Sequence, residues 1–214
     1  MRCFVTAGPT WDPLDQVRRF TNFSTGRLGG ELANALAQGG HDVSLYLSES
    51  ATWNQPLAAI RLLRFSTTQS LSDALHADAT ADPVAVFHAA AVSDFTGGGV
   101  FRRLTDDRLI LIEAGKFSTR EGSLLVELVP TPKILPRLRD WFPASRLIGW
   151  KYEIDGTPAD AVARGADQIA VTRSDACVVN GAAYGVGFAF MPRGQALRHC
   201  PDRVSLFAEL LALT

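Results

Sequence analysis

Lysine is nearly missing from this chain. Its 214 residues carry 21 lysines plus arginines, and only Lys116, Lys133 and Lys151 are lysines. Arginine serves wherever a solvated cation suffices. Unless codon bias alone sets the ratio, the surviving lysines mark places where a compact ammonium is wanted. An excess of either charge is also lacking. With a formal net charge of -1, nothing argues for a basic stripe for nucleic acid or for attraction to an anionic membrane surface. No run approaches the roughly 18 apolar residues of a membrane span. Met1–Thr6 runs straight into a strand pattern, without the apolar core and cleavage site of a signal peptide. Cys3, Cys177 and Cys200 are scattered and lack metal spacing, so a reducing cytoplasm is expected, with Cys177 in the core. Asn22-Phe23-Ser24 fits a glycosylation sequon, but nothing directs the chain to the secretory path. His41, His76, His88 and His199 are too dispersed for a metal cluster, and none is expected.

With 47% hydrophobic and 20% charged residues, the chain suits one sizeable core. Apolar runs alternate with helical spacings. Strands are expected at Cys3–Thr6, Val43–Leu47, Ile60–Phe65, Val84–Ala91, Leu147–Lys151 and Ala176–Val179. Helices are expected at Leu28–Gln38, Ser70–Ala77, Ile134–Trp141, Ala159–Ile169 and Val204–Leu213. This alternation predicts an α/β fold of the doubly wound, Rossmann-like kind with a mainly parallel sheet. One domain over residues 1–214 is expected. The polar, glycine-rich stretch after the fourth strand breaks the pattern. A loop this long in a compact domain is a functional lid or an unstructured insertion. Residues 96–122 are read as a flap, with Leu109–Ile112 and Leu124–Leu128 as an antiparallel arm on it.

Ligands of an open α/β sheet bind beyond the carboxyl ends of its strands. Ala7-Gly8-Pro9-Thr10 follows the first strand, and Gly8 lets a backbone approach a phosphate closely. A long loop then brings Asn22, Ser24, Thr25, Gly26 and Arg27 to the start of a helix. Open N–H groups, hydroxyls and a cation there suit an anion. A simple helix cap by Ser24 or Thr25, with Glu31 in an early turn, fits the same residues. Arg18 and Arg19 suit a phosphate or a subunit interface. A nicotinamide dinucleotide site would need G-x-G-x-x-G, whereas Gly8 and Gly26 are separated by a loop of about 18 residues. Glu49 does follow the second strand, where a ribose-binding acid would sit. No Gly-x-Ser-x-Gly elbow and no Walker lysine motif is present.

The motifs share a likeness. Val5-Thr6-Ala7-Gly8-Pro9-Thr10 followed by Arg19-Phe20-Thr21-Asn22-Phe23-Ser24-Thr25-Gly26-Arg27-Leu28-Gly29 closely resembles the opening of phosphopantothenoylcysteine synthetases. His88-Ala89-Ala90-Ala91-Val92-Ser93-Asp94-Phe95 is similar to their Ala-Ala-Ala-Val-x-Asp-Phe strand end. Lys116, Leu124–Leu128 and Pro132-Lys133-Ile134-Leu135 resemble their flap lysine, flap strand and following helix. Ile148–Glu153 and Val178-Val179-Asn180 resemble two later strand ends. The likeness runs in order over most of the chain. It departs on the flap, where Lys116-Phe117-Ser118-Thr119 replaces the bacterial Lys-x-Lys-Lys. It departs again on the helix before Asn180, which offers Arg164 and Arg173 in place of two lysines. In the single flap lysine, and in Pro132-Lys133 and Trp150-Lys151, which stand where the eukaryotic-type enzymes have Pro-Lys and Phe-Lys, the chain is nearer those enzymes.

The resemblance implies a phosphopantothenate–cysteine ligase of coenzyme A biosynthesis. Its substrates would be 4'-phosphopantothenate, L-cysteine and CTP (bacterial type) or ATP (eukaryotic type), with Mg²⁺ and without FMN. It implies that Asn22 hydrogen-bonds the acyl intermediate and that Lys116 neutralises the α-phosphate as the lid closes. It places the nucleotide and its phosphates at Gly8, Thr10, Ser24, Thr25, Gly26, Arg27, His88, Ala89, Ala90, Asp94, Pro132, Lys133, Ile134, Leu135, Trp150 and Asn180. It also implies a homodimer. The reduced lysine set keeps open a non-catalytic nucleotide-binding relative. An NAD(P)-binding oxidoreductase is a weaker alternative.

Overall fold

The structure, a computed structural model, describes residues 1–58, 60–118, 120 and 122–214. Thr119, at the end of the flap motif, therefore lies outside the described residues. Strand β1 (Arg2–Ala7) is buried at every residue after its first, as a central parallel strand must be. It is followed by β2 (Trp11–Pro13), β3 (Arg19–Thr21), α1 (Arg27–Gln38), β4 (Asp42–Ser48), β5 (Arg61–Phe65), α2 (Thr68–Ala77) and β6 (Ala85–His88). Next come β7 (Phe95–Arg103), β8 (Leu109–Leu111), β9 (Leu124–Pro130), α3 (Leu135–Trp141) and β10 (Arg146–Tyr152). The chain ends with α4 (Pro158–Thr172), β11 (Ala176–Gly181), β12 (Gly185–Pro192), β13 (Arg198–Cys200) and α5 (Arg203–Leu211).

Among the described residues the main sheet has eight strands, in the order β13-β12-β11-β10-β6-β1-β4-β5. The strands from β11 to β5 run parallel, while β12 and β13 are antiparallel to their neighbours. The chain winds outward from β1 to β5, then returns to β6 on the other side of β1. That reversal opens a crevice between the carboxyl ends of β1 and β6. The doubly wound reading of the sequence is correct.

Alternation along the strands builds two faces. Val5, Leu45, Phe87, Ile148 and Val178 pack with Leu32 and Leu36 of α1 and Leu206 and Leu210 of α5. Phe4, Tyr46, Val86 and Leu147 point the other way, onto α2 and α3. Cys177 and Val179 pack under α4, and burial raises the Cys177 thiol to about 12, as befits a core cysteine. No described helix is long and apolar enough to cross a membrane.

Two expectations need correction. The fourth strand ends at His88 rather than Ala91, because the next residues turn to bond the Gly8–Thr10 loop. The antiparallel arm is also built differently. Leu109–Leu111 and Leu124–Pro130 do not pair with each other; both pair with β7, giving the order β8-β7-β9. The glycine triplet Gly97-Gly98-Gly99 suggested a loop, yet β7 runs through it with a bulge between Gly97 and Gly99. A Cβ at Gly98 would lie 2.7 Å from Val129 of β9, so glycine there permits close strand approach.

Helix α1 is seated on β1 through Gly29. A Cβ at that position would meet the Ala7 Cβ at 2.6 Å and the Thr6 carbonyl oxygen at 3.1 Å. Gly29→Ala is therefore expected to destabilise the fold by about 1–3 kcal/mol through overpacking. A denaturant midpoint equal to that of the wild type would show that the helix has slack against the strand.

Candidate functional site

Gly8 turns β1 into its loop with φ +88°, where a side chain would be strained and would press on Ser48. The loop is then tied across the crevice. Ala91 N donates to the Gly8 carbonyl at 3.0 Å, and Thr10 N donates to the Ala91 carbonyl at 3.1 Å. The buried Thr10 hydroxyl accepts from Ser93 N at 2.8 Å. Thr10 thus holds the far wall of the crevice with its own side chain.

Helix α1 begins at the same place. Its N-cap is Gly26, left-handed at φ 79°, with no side-chain capping bond. A cap by Ser24 or Thr25 is therefore wrong; Thr25 Oγ1 accepts from Arg27 N, at 3.3 Å. Glu31 serves no cap either. It pairs with Arg27 at 2.6 Å and with Arg203 at 2.8 Å, turning the Arg27 guanidinium along the helix. A Cβ on Gly26 would lie 3.3 Å from the Gly8 Cα. The two glycines abut, leaving an uncapped helix start beside a phosphate-sized turn, the arrangement that favours an anion. Ser24 is half-buried in the segment leading to it.

Asn22 reaches the crevice by another route. The short β2–β3 hairpin pairs Trp11 with Thr21, and Thr21 Oγ1 donates to the Thr10 carbonyl at 3.1 Å. Asn22 Nδ2 then donates to the Ala91 carbonyl at 2.9 Å. Gly8, Gly26, Asn22 and the Ala89–Ala91 segment therefore converge at the switch point.

The wall contributed by β6 is neutral. His88 is buried, with its Nδ1 2.9 Å from Thr6 Oγ1, and the same hydroxyl accepts from Ala90 N at 3.1 Å. Burial lowers the His88 pKa to about 4. Ala89 N donates to the Phe87 carbonyl at 3.2 Å. Asp94, further along, is exposed and pairs with Lys133. Pro132 is exposed beside it, whereas Ile134 belongs to the core and Leu135 abuts Gly149. Trp150 is half-buried against the core, its indole N–H buried without a partner among the described residues. Asn180 sits at the end of β11, where its carbonyl accepts from Glu153 N at 2.8 Å.

The three lysines have different fates. Lys133 pairs with Asp94, and Lys151 pairs with Glu153 at 3.1 Å. Lys116 is exposed and makes no ion pair among the described residues. The backbone around it is nevertheless docked, through Asp15 and Arg18, which sequence reasoning did not connect to the flap. Arg18 Nη2 contacts Asp15 at 2.5 Å and donates to the Phe117 carbonyl at 3.0 Å. The only signal in the sequence was the i,i+3 spacing of opposite charges. A cavity of about 520 Å³ lies at the ends of β4 and β5, lined in part by Leu47, Glu49, Ala51, Trp53 and Arg64. It adjoins the glycine turn, since a Cβ on Gly26 would meet Ala51 at 3.0 Å and Leu47 at 3.2 Å.

The family model for the DNA/pantothenate metabolism flavoprotein C-terminal domain matches residues 1–193. The chain belongs to this family. A coenzyme A biosynthesis bifunctional protein CoaBC from Thermococcus kodakarensis is 29% identical over 180 residues, which are 84% of this chain and 41% of that protein. The CoaBC protein of Bacillus subtilis is 32% identical over 149 residues, 70% of this chain and 33% of that protein. The chain thus spans well under half the length of these curated relatives. The crystal structure of the DNA/pantothenate metabolism flavoprotein from Streptococcus pneumoniae superposes with a TM-score of 0.85 at 24% identity, covering 99% of this chain and 97% of that one. A Cab2 H337A mutant in complex with phosphopantothenate-cysteine superposes with a TM-score of 0.71 at 18% identity, covering 99% and 87%. At these identities the superpositions establish the fold shared across the family.

Burial beside the crevice puts His88 under a testable electrostatic constraint. Its folded pKa of about 4 lies below the ordinary 6.5. The folded chain therefore refuses a proton that the unfolded chain accepts, and stability is lost as pH falls from about 6.5 to about 4. The gap corresponds to about 3 kcal/mol. Denaturant titrations near neutral and near the lower limit should show the wild type losing about 2–3 kcal/mol more than His88→Gln. Equal losses in the two proteins would mean that the imidazole is not protected from protonation.

Proposed function

We propose that this domain joins 4'-phosphopantothenate to the amine of L-cysteine, using a nucleoside triphosphate. The observation that carries the reading is the abutting Gly8 turn and uncapped α1 start, with Asn22 anchored at the same switch point. Family membership supports it, since the relatives named above act in coenzyme A biosynthesis and one neighbour holds phosphopantothenate-cysteine.

In the first step a carboxylate oxygen attacks the α-phosphorus, the bond to the β-phosphate oxygen breaks, and pyrophosphate leaves. In the second, the cysteine nitrogen attacks the activated carbonyl, loses a proton, and expels the nucleoside monophosphate. The obstacle in both is charge, because a carboxylate must approach a polyanion. The glycine turn and helix start hold phosphate through backbone N–H groups. Asn22, with Nδ2 on the Ala91 carbonyl, presents its amide to the reacting acyl group. Lys116 supplies the compact cation. Residues 96–122 act as the lid that keeps water from the mixed anhydride. Mg²⁺ bound through a triphosphate needs only one or two protein carboxylates. Asp94, which pairs with Lys133, would be the carboxylate to hold it, and Mg²⁺ would screen the phosphate charge there. CTP and ATP are the two candidate nucleotides, and a homodimer is the expected assembly.

Purified protein given 4'-phosphopantothenate with CTP or ATP should release pyrophosphate, and cysteine should make the release catalytic. Silence with both nucleotides would overturn the reading and favour a non-catalytic nucleotide-binding relative. Lys116→Ala should slow pyrophosphate release by roughly 10²–10³-fold. Its Tm should shift by no more than about 1–2 °C, since its side chain is exposed. A large fall in Tm would instead make Lys116 structural.

A further inference from the structure

We infer that Asp15 is a positioning residue that holds the Lys116-bearing segment onto the β1–α1 connection; the inference rests on the ligase reading for the task given to Lys116. The carboxylate of Asp15 has no solvent-exposed side-chain surface. Its Oδ1 accepts from Val17 N at 2.9 Å and Arg18 N at 2.7 Å. Its Oδ2 accepts from Arg18 Nε at 2.9 Å and from Phe117 N at 3.3 Å, with Arg18 Nη2 at 2.5 Å. One short side chain thus ties its own turn to a backbone N–H 102 residues later. The Arg18 contact, opposed by burial and aided by the backbone donors, holds the carboxyl well below the usual carboxylate range.

The clamp closes on both sides of Lys116. On one side, Gln16 N donates to the Gly115 carbonyl at 3.0 Å. A Cβ at Gly115 would meet the Gln16 side chain at 2.8 Å, so the glycine lets the two segments approach. On the other side, Phe117 gives its N–H to Asp15 and its carbonyl to Arg18. Its ring is buried beneath the Arg18 guanidinium, 5.5 Å from the centroid. The stretch between β8 and β9 has no strand ladder at Lys116 to fix it. Instead, the main chain before and after Lys116 is bonded to residues 15–18, while the lysine side chain is exposed.

The connection that receives the clamp also carries Asn22 and leads to the Gly26 helix start. The clamp therefore couples the lysine to the rest of the crevice through a few residues of rigid backbone. A lysine on an unanchored loop would lose backbone and side-chain entropy at each turnover. Anchoring its neighbours makes that ordering part of folding, which is the preorganisation a charge-stabilised transition state needs. Arg18 in this structure serves the clamp, which sequence reasoning had assigned to a phosphate or an interface.

The test combines amide hydrogen exchange with a mutant cycle. In Asp15→Ala the Phe117 amide should exchange faster, while amides of the parallel sheet stay as protected as in the wild type. The first-step rate of pyrophosphate release should fall by roughly 10–100-fold, with Tm nearly unchanged. In a Lys116→Ala background the same substitution should cost no further rate, because the clamp acts through the lysine. Unchanged exchange at Phe117 would overturn the clamp, and additive rate losses would overturn its action through Lys116. Should Asp15→Ala fail to fold, Asp15→Asn keeps the size, removes the charge and carries the same comparisons. If the wild type releases no pyrophosphate, the ligase reading falls, and the exchange arm alone still decides whether Asp15 holds the segment.

Discussion

The carbonyl of Ala91 is the point on which the crevice depends. It accepts from Thr10 N and from Asn22 Nδ2, and the N–H of the same residue donates to the Gly8 carbonyl. Three chain segments distant in sequence thus share one peptide neighbourhood. Backbone polar groups in a half-buried place must find partners. Here satisfying them fixes the width of the gap between β1 and β6. The early end of β6 follows from this. Residues beyond His88 leave the strand ladder because their hydrogen bonds go to the Gly8–Thr10 loop.

Charge is distributed around this backbone scaffold in a consistent way. The wall from β6 is kept neutral by burial, with His88 held below its ordinary pKa. Arg27, the cation closest in sequence to the helix start, is drawn off by Glu31. Two of the three lysines are paired with carboxylates. What the crevice offers is therefore chiefly backbone N–H groups and the helix start, groups that favour an anion. Lys116 stands apart from the two paired lysines, since its side chain is exposed while the backbone on either side of it is docked on residues 15–18.

Much of the scaffold was legible in the sequence because periodicity reports burial. The continuous apolar runs of β1 and β4 and the spacing of Leu28, Leu32 and Leu36 in α1 reflect packing on two faces of one sheet. The elements that escaped were those whose signal is not apolar. Strand β7 runs through three glycines that permit close approach of β9, and glycine in isolation reads as a loop. Strand β12 begins with Gly185 and Gly187 and is exposed there. At the crevice, the strand-end residues Gly8, Thr10 and Asn22 were legible because a positive-φ turn and close backbone contacts need particular residue types there. The clamp was not, because its partners lie about a hundred positions apart and Asp15 with Arg18 resembles any local ion pair.

That last case shows what a local reading of charge omits. An exposed Asp–Arg pair contributes little, as solvent screens it and side-chain entropy opposes it. Asp15 differs because its carboxylate is shielded from solvent and is shared with a distant N–H. Arg18 differs because its guanidinium also accepts the burial of an aromatic ring beneath it. Neither partner could be replaced by a simple neighbour of the same charge. A lysine at position 18 would keep the ion pair and lose the planar fork that reaches Asp15 and the Phe117 carbonyl together. The arginine-rich composition and the rarity of lysine are thus two sides of one division of labour. Arginine builds the fixed contacts, whereas Lys133 and Lys151 each meet a carboxylate and Lys116 keeps an exposed side chain.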